Sequence, residues 1–515
     1  MPRNEKFTFQ ILTAAVLIFC ACGFSARAQK TIAGQQNPLA KFEKAIEQGN
    51  LAAIERDLLN YAIANPRDAK GFELLGRLRF AQNRLNEAKS LYQKALTLDP
   101  KLASAKINLA IINFQTGEAA QAVYILDGIA EDEISTDSLR LKLAKAFALV
   151  GECPKGLSNV EKLGVKIKNG DALPVRALCH LQSGEKQKAI ALIPAAKNLS
   201  KQNPAVAAEF AEVLSGAAMY KESADVLRSV VAGQPQNAAA LVLLAKAEIY
   251  AKDFAGARIH LNQAARINPD APDLQFVAGL LESEQGNAAK SLELLEKSLA
   301  ANPDSTAVLS RYVIAAMRAQ EAGKAFRAAE RLLELKPDAP EFLYLHGAAA
   351  LQNNRLAAAE NSLGRFVALR PQDSRGCLAL GLTYAAQPDK HEEARRQLMR
   401  CIAINPNDFE AKYQIGLSYK TQGETAKAIE YLEEAARLAP NYALALRDLG
   451  AVYLQSGAEA KARVVLEKAV ALDAKDADTH FQLSRLYNLI GETALAKKHL
   501  EIFQNLRNAN NKSGM

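Results

Sequence analysis

The sequence predicts an all-α solenoid of about fourteen helix–turn–helix units. Three observations predict it. Proline recurs at a fixed step: Pro66 and Pro100 are 34 residues apart, Pro235, Pro269, Pro303, Pro337 and Pro371 keep the same step, and Pro406 and Pro440 follow at 35 and 34. Between the prolines, apolar residues are spaced by three and four, the period of an amphipathic helix. A polar break then divides each unit in two, as at Gln422-Gly423-Glu424, Gln455-Ser456-Gly457 or Asn83-Arg84. Length alone would imply three or so domains. A repeat implies instead a stack in which each unit touches only its neighbours.

The unit that starts at Phe409 carries Ile415, Gly416, Tyr419, Ala428, Leu432, Ala435 and Pro440 at positions 7, 8, 11, 20, 24, 27 and 32. The next, from Ala443, repeats the set as Leu449, Gly450, Tyr453, Ala462, Leu466 and Ala469, and the unit from Ala69 carries Leu75, Gly76, Ala88, Tyr92, Ala95 and Pro100. Small residues at positions 8 and 20 let the two helices approach at their crossing, and large ones at 7, 11 and 24 fill the space around it. Proline at 32 stops the second helix. Asp or Asn flanks it at Asp99, Asn268, Asn302 and Asn405. Pro269-Asp-Ala-Pro272 and Pro337-Asp-Ala-Pro340 repeat two units apart, the second proline suiting the first turn of the next helix.

These residues resemble the tetratricopeptide repeat. The resemblance covers roughly residues 35 to 507 and departs in one respect: the chain has no Trp, so position 4 is Phe, Leu or polar. It implies one continuous right-handed superhelix over 37–507, with units near residues 35, 69, 103, 137, 170, 204, 238, 272, 306, 340, 374, 409, 443 and 477. Units three to five lack the proline in register. The segment 131–171 is the weakest, with Glu131-Asp132-Glu133 and Lys166–Asp171 where clean repeats belong, and reads as a divergent pair or a hinge. Pro388–His391 lengthens one turn within a unit. After Phe503 the chain turns polar, and 508–515 is expected to fray as a disordered tail.

The N-terminus carries an address. Arg3 and Lys6 precede an apolar run from Ile11 to Phe24, too short for a convincing membrane span, and Ala26-Arg27-Ala28 is a small-x-small cleavage site. Residues 1–28 therefore read as a secretory signal peptide and 29–36 as a flexible linker, which places the mature chain in the periplasm or cell envelope. Phe19 before Cys20, and three places before Cys22, fits a lipidation site poorly. A lipidated or uncleaved N-terminus remains the other way to reach a membrane. Export makes disulfides expected. Cys377 and Cys401 stand level on the two helices of one unit, whereas Cys153 and Cys179 lie on successive helices at different heights. Each of the four is otherwise a small buried apolar residue.

A formal charge of +8 over 515 residues is ordinary solvated helix surface. There is no basic run with interleaved aromatics, so no nucleic-acid partner is expected. No catalytic constellation, cofactor loop or metal motif is expected either. His391-Glu392-Glu393-Ala394-Arg395 lacks the second His of a metalloprotease helix, and His180, His260, His346, His391, His480 and His499 are scattered over separate units.

In the family the first helix of each unit lines a concave groove, with positions 2, 5, 9, 12 and 13 facing in. The Lys-5/Asn-9 pair that clamps a chaperone's C-terminal carboxylate is not matched by Glu73/Arg77, Ile107/Ile111, Val242/Lys246 or Phe276/Leu280. Position 5 is aromatic at Phe276, Tyr344, Tyr413 and Phe481, with Leu417, Arg447 and Arg485 nearby. These seven form the candidate partner-binding set, suited to an extended peptide or a partner helix. The other reading is that the rings pack between neighbouring first helices. The expected role is a non-enzymatic protein–protein scaffold for assembly, secretion or export. The alternative is an accessory subunit that binds glycan or a glycan-synthesising or exporting enzyme.

Overall fold

A computed structural model describes residues 38–47, 51–82, 84–271 and 273–513, and among these the regular elements are helices with no strand. The expected leader, the linker and Pro272 lie outside the described residues. The chain divides into two compact units, one up to Leu294 and one from Leu295. Each is taken by itself.

The first unit stacks helix pairs in chain order: Pro38–Glu47 with Leu51–Ala64, Ala69–Ala81 with Leu85–Leu98, Ala103–Gln115 with Ala119–Asp127, and Asp137–Leu149 with Cys153–Glu161. Pro204–Gly216 with Tyr220–Gly233, Ala238–Tyr250 with Phe254–Ile267, and Leu274–Glu284 before the helix that starts at Ala288 complete it. Between them lies the divergent stretch. It holds a 3-10 turn at Glu131–Glu133, the short helix Val165–Asn169, and Leu173–Gln182 facing a second helix broken into Lys186–Ala191 and Ile193–Leu199. One buried cluster runs from Ile107 to Ala247 through this stretch.

The second unit is regular. Thr306–Arg318 pairs with Ala322–Leu335, Pro340–Gln352 with Leu356–Leu369, Ser374–Ala385 with His391–Ile404, Phe409–Thr421 with Thr425–Leu438, Ala443–Gln455 with Glu459–Leu472, and Ala477–Leu489 with Thr493–Ser513. The turn lengthened by Pro388 lies between Ala385 and His391. The last helix runs on to Ser513, past the point where a frayed tail was expected. Phe503 packs on Phe481 at 5.1 Å, and Arg507, one turn further along the same helix, lies over the Phe503 ring at 5.5 Å.

Local chemistry starts and stops these helices. Asp68, Asp373, Asp408 and Asp476 cap first helices, accepting from backbone N–H two or three residues on, each contributing about 1 kcal/mol. At the helix crossing, a Cβ added to Gly416 would lie 2.7 Å from Leu432 Cγ, and one added to Gly76 would lie 2.7 Å from Tyr92 Cε1. Position 8 is thus small because the position-24 side chain occupies the space above it. Two units put Ser at position 20, where its buried hydroxyl donates to the position-8 carbonyl: Ser223 to Ala211 at 2.7 Å and Ser291 to Gly279 at 2.8 Å.

Disulfides join Cys377 to Cys401 and Cys153 to Cys179, with Cα separations of 5.6 and 5.3 Å. The second corrects the expected mismatch in height. Cys153 opens a second helix and Cys179 lies in the later half of the next first helix. Those helices run in opposite directions, so the start of one is level with the end of the other.

Candidate functional site: the first-helix surfaces

In the first unit this surface is charged, and the charges pair across repeats. Glu73, 1% exposed, meets Lys70 Nζ at 2.9 Å and accepts from Asn108 of the next repeat at 3.3 Å. Arg77 donates to Glu43 one repeat back at 3.1 Å. Burial opposes ionisation of Glu43, but Lys70, Arg77 and Lys142 outweigh it and hold the carboxyl below its usual range. Burial and the nearby Arg77 push the Lys142 ammonium down. Lys145 donates to buried Glu209 at 2.7 Å, a contact that skips the short helix Leu173–Gln182 between them. Burial pushes Glu212 up to about 7, with Glu209 and Asp273 adding to the effect and Lys246 opposing it. Phe276 is the candidate ring in this unit; it is half-buried and packs against the cluster around Leu241 and Val277.

In the second unit the other candidates fall into three groups. Tyr344 is half-buried; its ring contacts Phe366 at 5.4 Å and carries the Arg375 guanidinium 4.9 Å above it. Arg375 is held in turn by Glu341 at 3.1 Å and Asp373 at 2.7 Å. Tyr413 is 5% exposed, makes an edge contact with Tyr442 at 5.4 Å and donates to Asp448 Oδ2 at 2.8 Å. It is a packing residue between repeats, so it leaves the set of surface contacts. Leu417 is half-buried beside the same cluster. Arg447 is committed to Asp448 at 3.0 Å and Asp476 at 3.4 Å. Phe481, 38% exposed, and exposed Arg485 lie on one helix, with Arg485 donating to Gln482 at 3.2 Å.

Asp448 is the centre that sequence reasoning missed. Buried at 6% exposure, it accepts from Tyr413, from Lys420 at 2.7 Å and from Arg447. Burial raises its carboxyl, and Lys420, Arg447 and Tyr413 together overcome this and hold it low. Glu410, on the same helix as Tyr413, has its carboxyl pushed up by burial and by Asp408. The signal was present. Glu43–Arg77 and Glu341–Arg375 are 34 residues apart, and Glu73–Asn108 and Tyr413–Asp448 are 35 apart. The repeat period applied to polar residues would have found all four.

Among the described residues, no three His, Cys, Asp or Glu side chains stand where they could hold a metal ion. No helix among them is long and apolar enough to cross a membrane.

Two family models, both described as tetratricopeptide repeat, match residues 79–144 and 420–480, and 209–272, 276–343 and 344–408. The chain belongs to the tetratricopeptide repeat family. No curated protein matches it. Similar solved structures include the APC/C hetero-tetramer Cut9–Hcn1, 14% identical over 92% of this chain and 98% of that chain with a TM-score of 0.43. A tetratricopeptide repeat protein from Parabacteroides merdae is 18% identical over 51% of this chain and 97% of its own, with a TM-score of 0.41. YrrB, described as a TPR protein with an unusual peptide-binding site, is 19% identical over 36% of this chain and 96% of its own, with a TM-score of 0.29. Tetratricopeptide repeats generally mediate protein–protein interaction.

Proposed function

We propose that this tetratricopeptide repeat protein is a non-enzymatic scaffold of the cell envelope that grips a segment of a partner protein on the first-helix surface of its second compact unit. The observation that carries the reading is the pairing of exposed Phe481 with exposed Arg485 on a first helix. An apolar ring and a cation bonded to no carboxylate among the described residues are what an anchored peptide contact uses. The surface of the first unit, by contrast, spends its charges on its own repeats. Export is supported by the leader-like residues 1–28 and by the two disulfides, which persist in an oxidising compartment.

The test is crosslinking of the tagged chain in its native host, followed by affinity purification and mass spectrometry, with fractionation to locate it. A stoichiometric protein whose yield falls several-fold in Phe481→Ala/Arg485→Ala, with helicity and melting unchanged, is the expected result. Recovery of the chain alone, while a control complex crosslinks efficiently, overturns the scaffold reading. Recovery with glycan sends the assignment to the accessory-subunit alternative.

A further inference from the structure

The last helix pair holds two histidines in direct contact. His480, 4% exposed, places Nδ1 2.9 Å from Nδ1 of half-buried His499, and its Nε2 lies 3.2 Å from the Ala474 carbonyl oxygen. The rings stack at 5.1 Å, and Tyr487 also stacks on His499 at 5.5 Å. The Ala474 carbonyl can only accept, so His480 Nε2 must carry a hydrogen. In the neutral pair His480 Nδ1 is then a lone pair, and His499 donates to it from Nδ1. One added proton leaves this bond intact but puts a charge in a half-buried site. A second sets two N–H groups against each other at 2.9 Å, and the bond cannot survive.

The surroundings give no help to a charged pair. On the histidines' own helices, Asp476 caps Thr479 and pairs with Arg447, Asp478 lies in the first turn near Arg447, Arg485 bonds Gln482, and Lys498 adds a cation beside His499. From the preceding second helix, Glu467 accepts from Tyr487 and Arg463, and Arg463 also pairs with Glu492. From the preceding first helix, Arg447 is turned to Asp448. Neither imidazole bonds a carboxylate among the described residues.

We propose that the His480–His499 contact is an acid-released latch that holds the last helix, Thr493–Ser513, on the final repeat at neutral pH. Its release moves Phe503 off Phe481, uncovering that ring. Burial, His480 and Lys498 all depress the His499 imidazole. The neutral pair's stabilisation is therefore complete above the ordinary value of about 6.5; it weakens as the first proton puts a charge on half-buried His499 at its lower folded value, and the bond itself goes when a second proton joins the pair.

The test is hydrogen exchange with mass spectrometry on the full chain at pH 7.5 and 5.5, corrected for the intrinsic pH dependence of exchange. Protection across 493–513 should fall at least ten-fold at pH 5.5 while 425–438 is unchanged. In His499→Asn, whose amide can donate to His480 but does not titrate, that fall should disappear. The latch is overturned if 493–513 follows 425–438 at both pH values, or if His499→Asn shows the same fall. Should His499→Asn lose protection already at pH 7.5, nitrogen-15 shifts of the wild-type histidines decide. Proton uptake by the pair with protection of 493–513 retained overturns it; uptake and loss together support it.

Discussion

Gly450 and Leu466 share one volume: a Cβ on Gly450 would lie 2.5 Å from both Cγ and Cδ2 of Leu466, which is fully buried. The relation is reversed once in the second unit. At the same two positions the repeat from Thr306 carries Val313 and Ala329, both fully buried. The large member has moved to the other helix, so the crossing conserves the volume of the pair and leaves either helix free to supply it.

Gly450→Ala should therefore cost about 1–3 kcal/mol through overpacking. Gly450→Val should cost more, and Gly450→Val with Leu466→Ala should recover much of the loss, because that pair is the one Val313 and Ala329 already form. Urea unfolding of Gly450→Val, of Leu466→Ala and of the double variant measures the coupling. Additive losses would show that the two side chains do not share a volume.

Asp448 holds the hydroxyl of Tyr413, the ammonium of Lys420 and the guanidinium of Arg447 at one buried point. Asp448→Asn should destabilise the second unit at pH 7 by about 3 kcal/mol, since two cations lose their counter-charge. The wild-type carboxyl is depressed, so its contribution is present above the ordinary value of about 3.9 and disappears as pH falls through the lower folded value. The gap between variant and wild type should thus be wide at pH 7 and close in strong acid. Denaturation midpoints at several pH values check this.

The helix pairs were legible because they rest on signals read residue by residue: apolar residues spaced by three and four, a proline that ends a helix, a small residue at position 8. What each position-5 ring does was not legible. Tyr413 and Phe481 occupy the same position, yet one is sealed by Tyr442 and Asp448 of its neighbourhood and the other is covered in part by Phe503. Exposure there is decided by the residue 35 places on or on the last helix, not by the ring itself. The Cys153–Cys179 bridge was missed for a related reason. It depends on where two antiparallel helices begin, and the surrounding stretch had lost the proline that marks such beginnings.

Glu212 should make the first unit less stable at high pH. Its folded value is raised to about 7, so its stabilising contribution is complete below the usual carboxyl range and is lost as pH rises through about 7. Glu212→Gln should gain about 2 kcal/mol at pH 8, with no gain below pH 4.5, allowing for its half-buried position. Urea midpoints at the two pH values decide it, and an equal effect at both would show that Glu212 ionises as an ordinary surface carboxyl.

The cysteines report on both fold and address. Loops closed by Cys153–Cys179 and Cys377–Cys401 span 26 and 24 residues, worth about 3 kcal/mol each on a chain-entropy account. Reduction should lower the urea midpoint in both compact units. Intact mass gives a sharper reading, because the chain has six cysteines and two of them, Cys20 and Cys22, fall within residues 1–28, the expected leader. Protein taken from its native compartment should accept no alkylating reagent before reduction and four equivalents after it, at the mass of a chain beginning at Gln29. Six equivalents at full-length mass would mean that the leader is retained with its cysteines free or newly reduced. Four equivalents taken up without reduction would mean that the thiols stand unpaired, and would remove the disulfides as support for export.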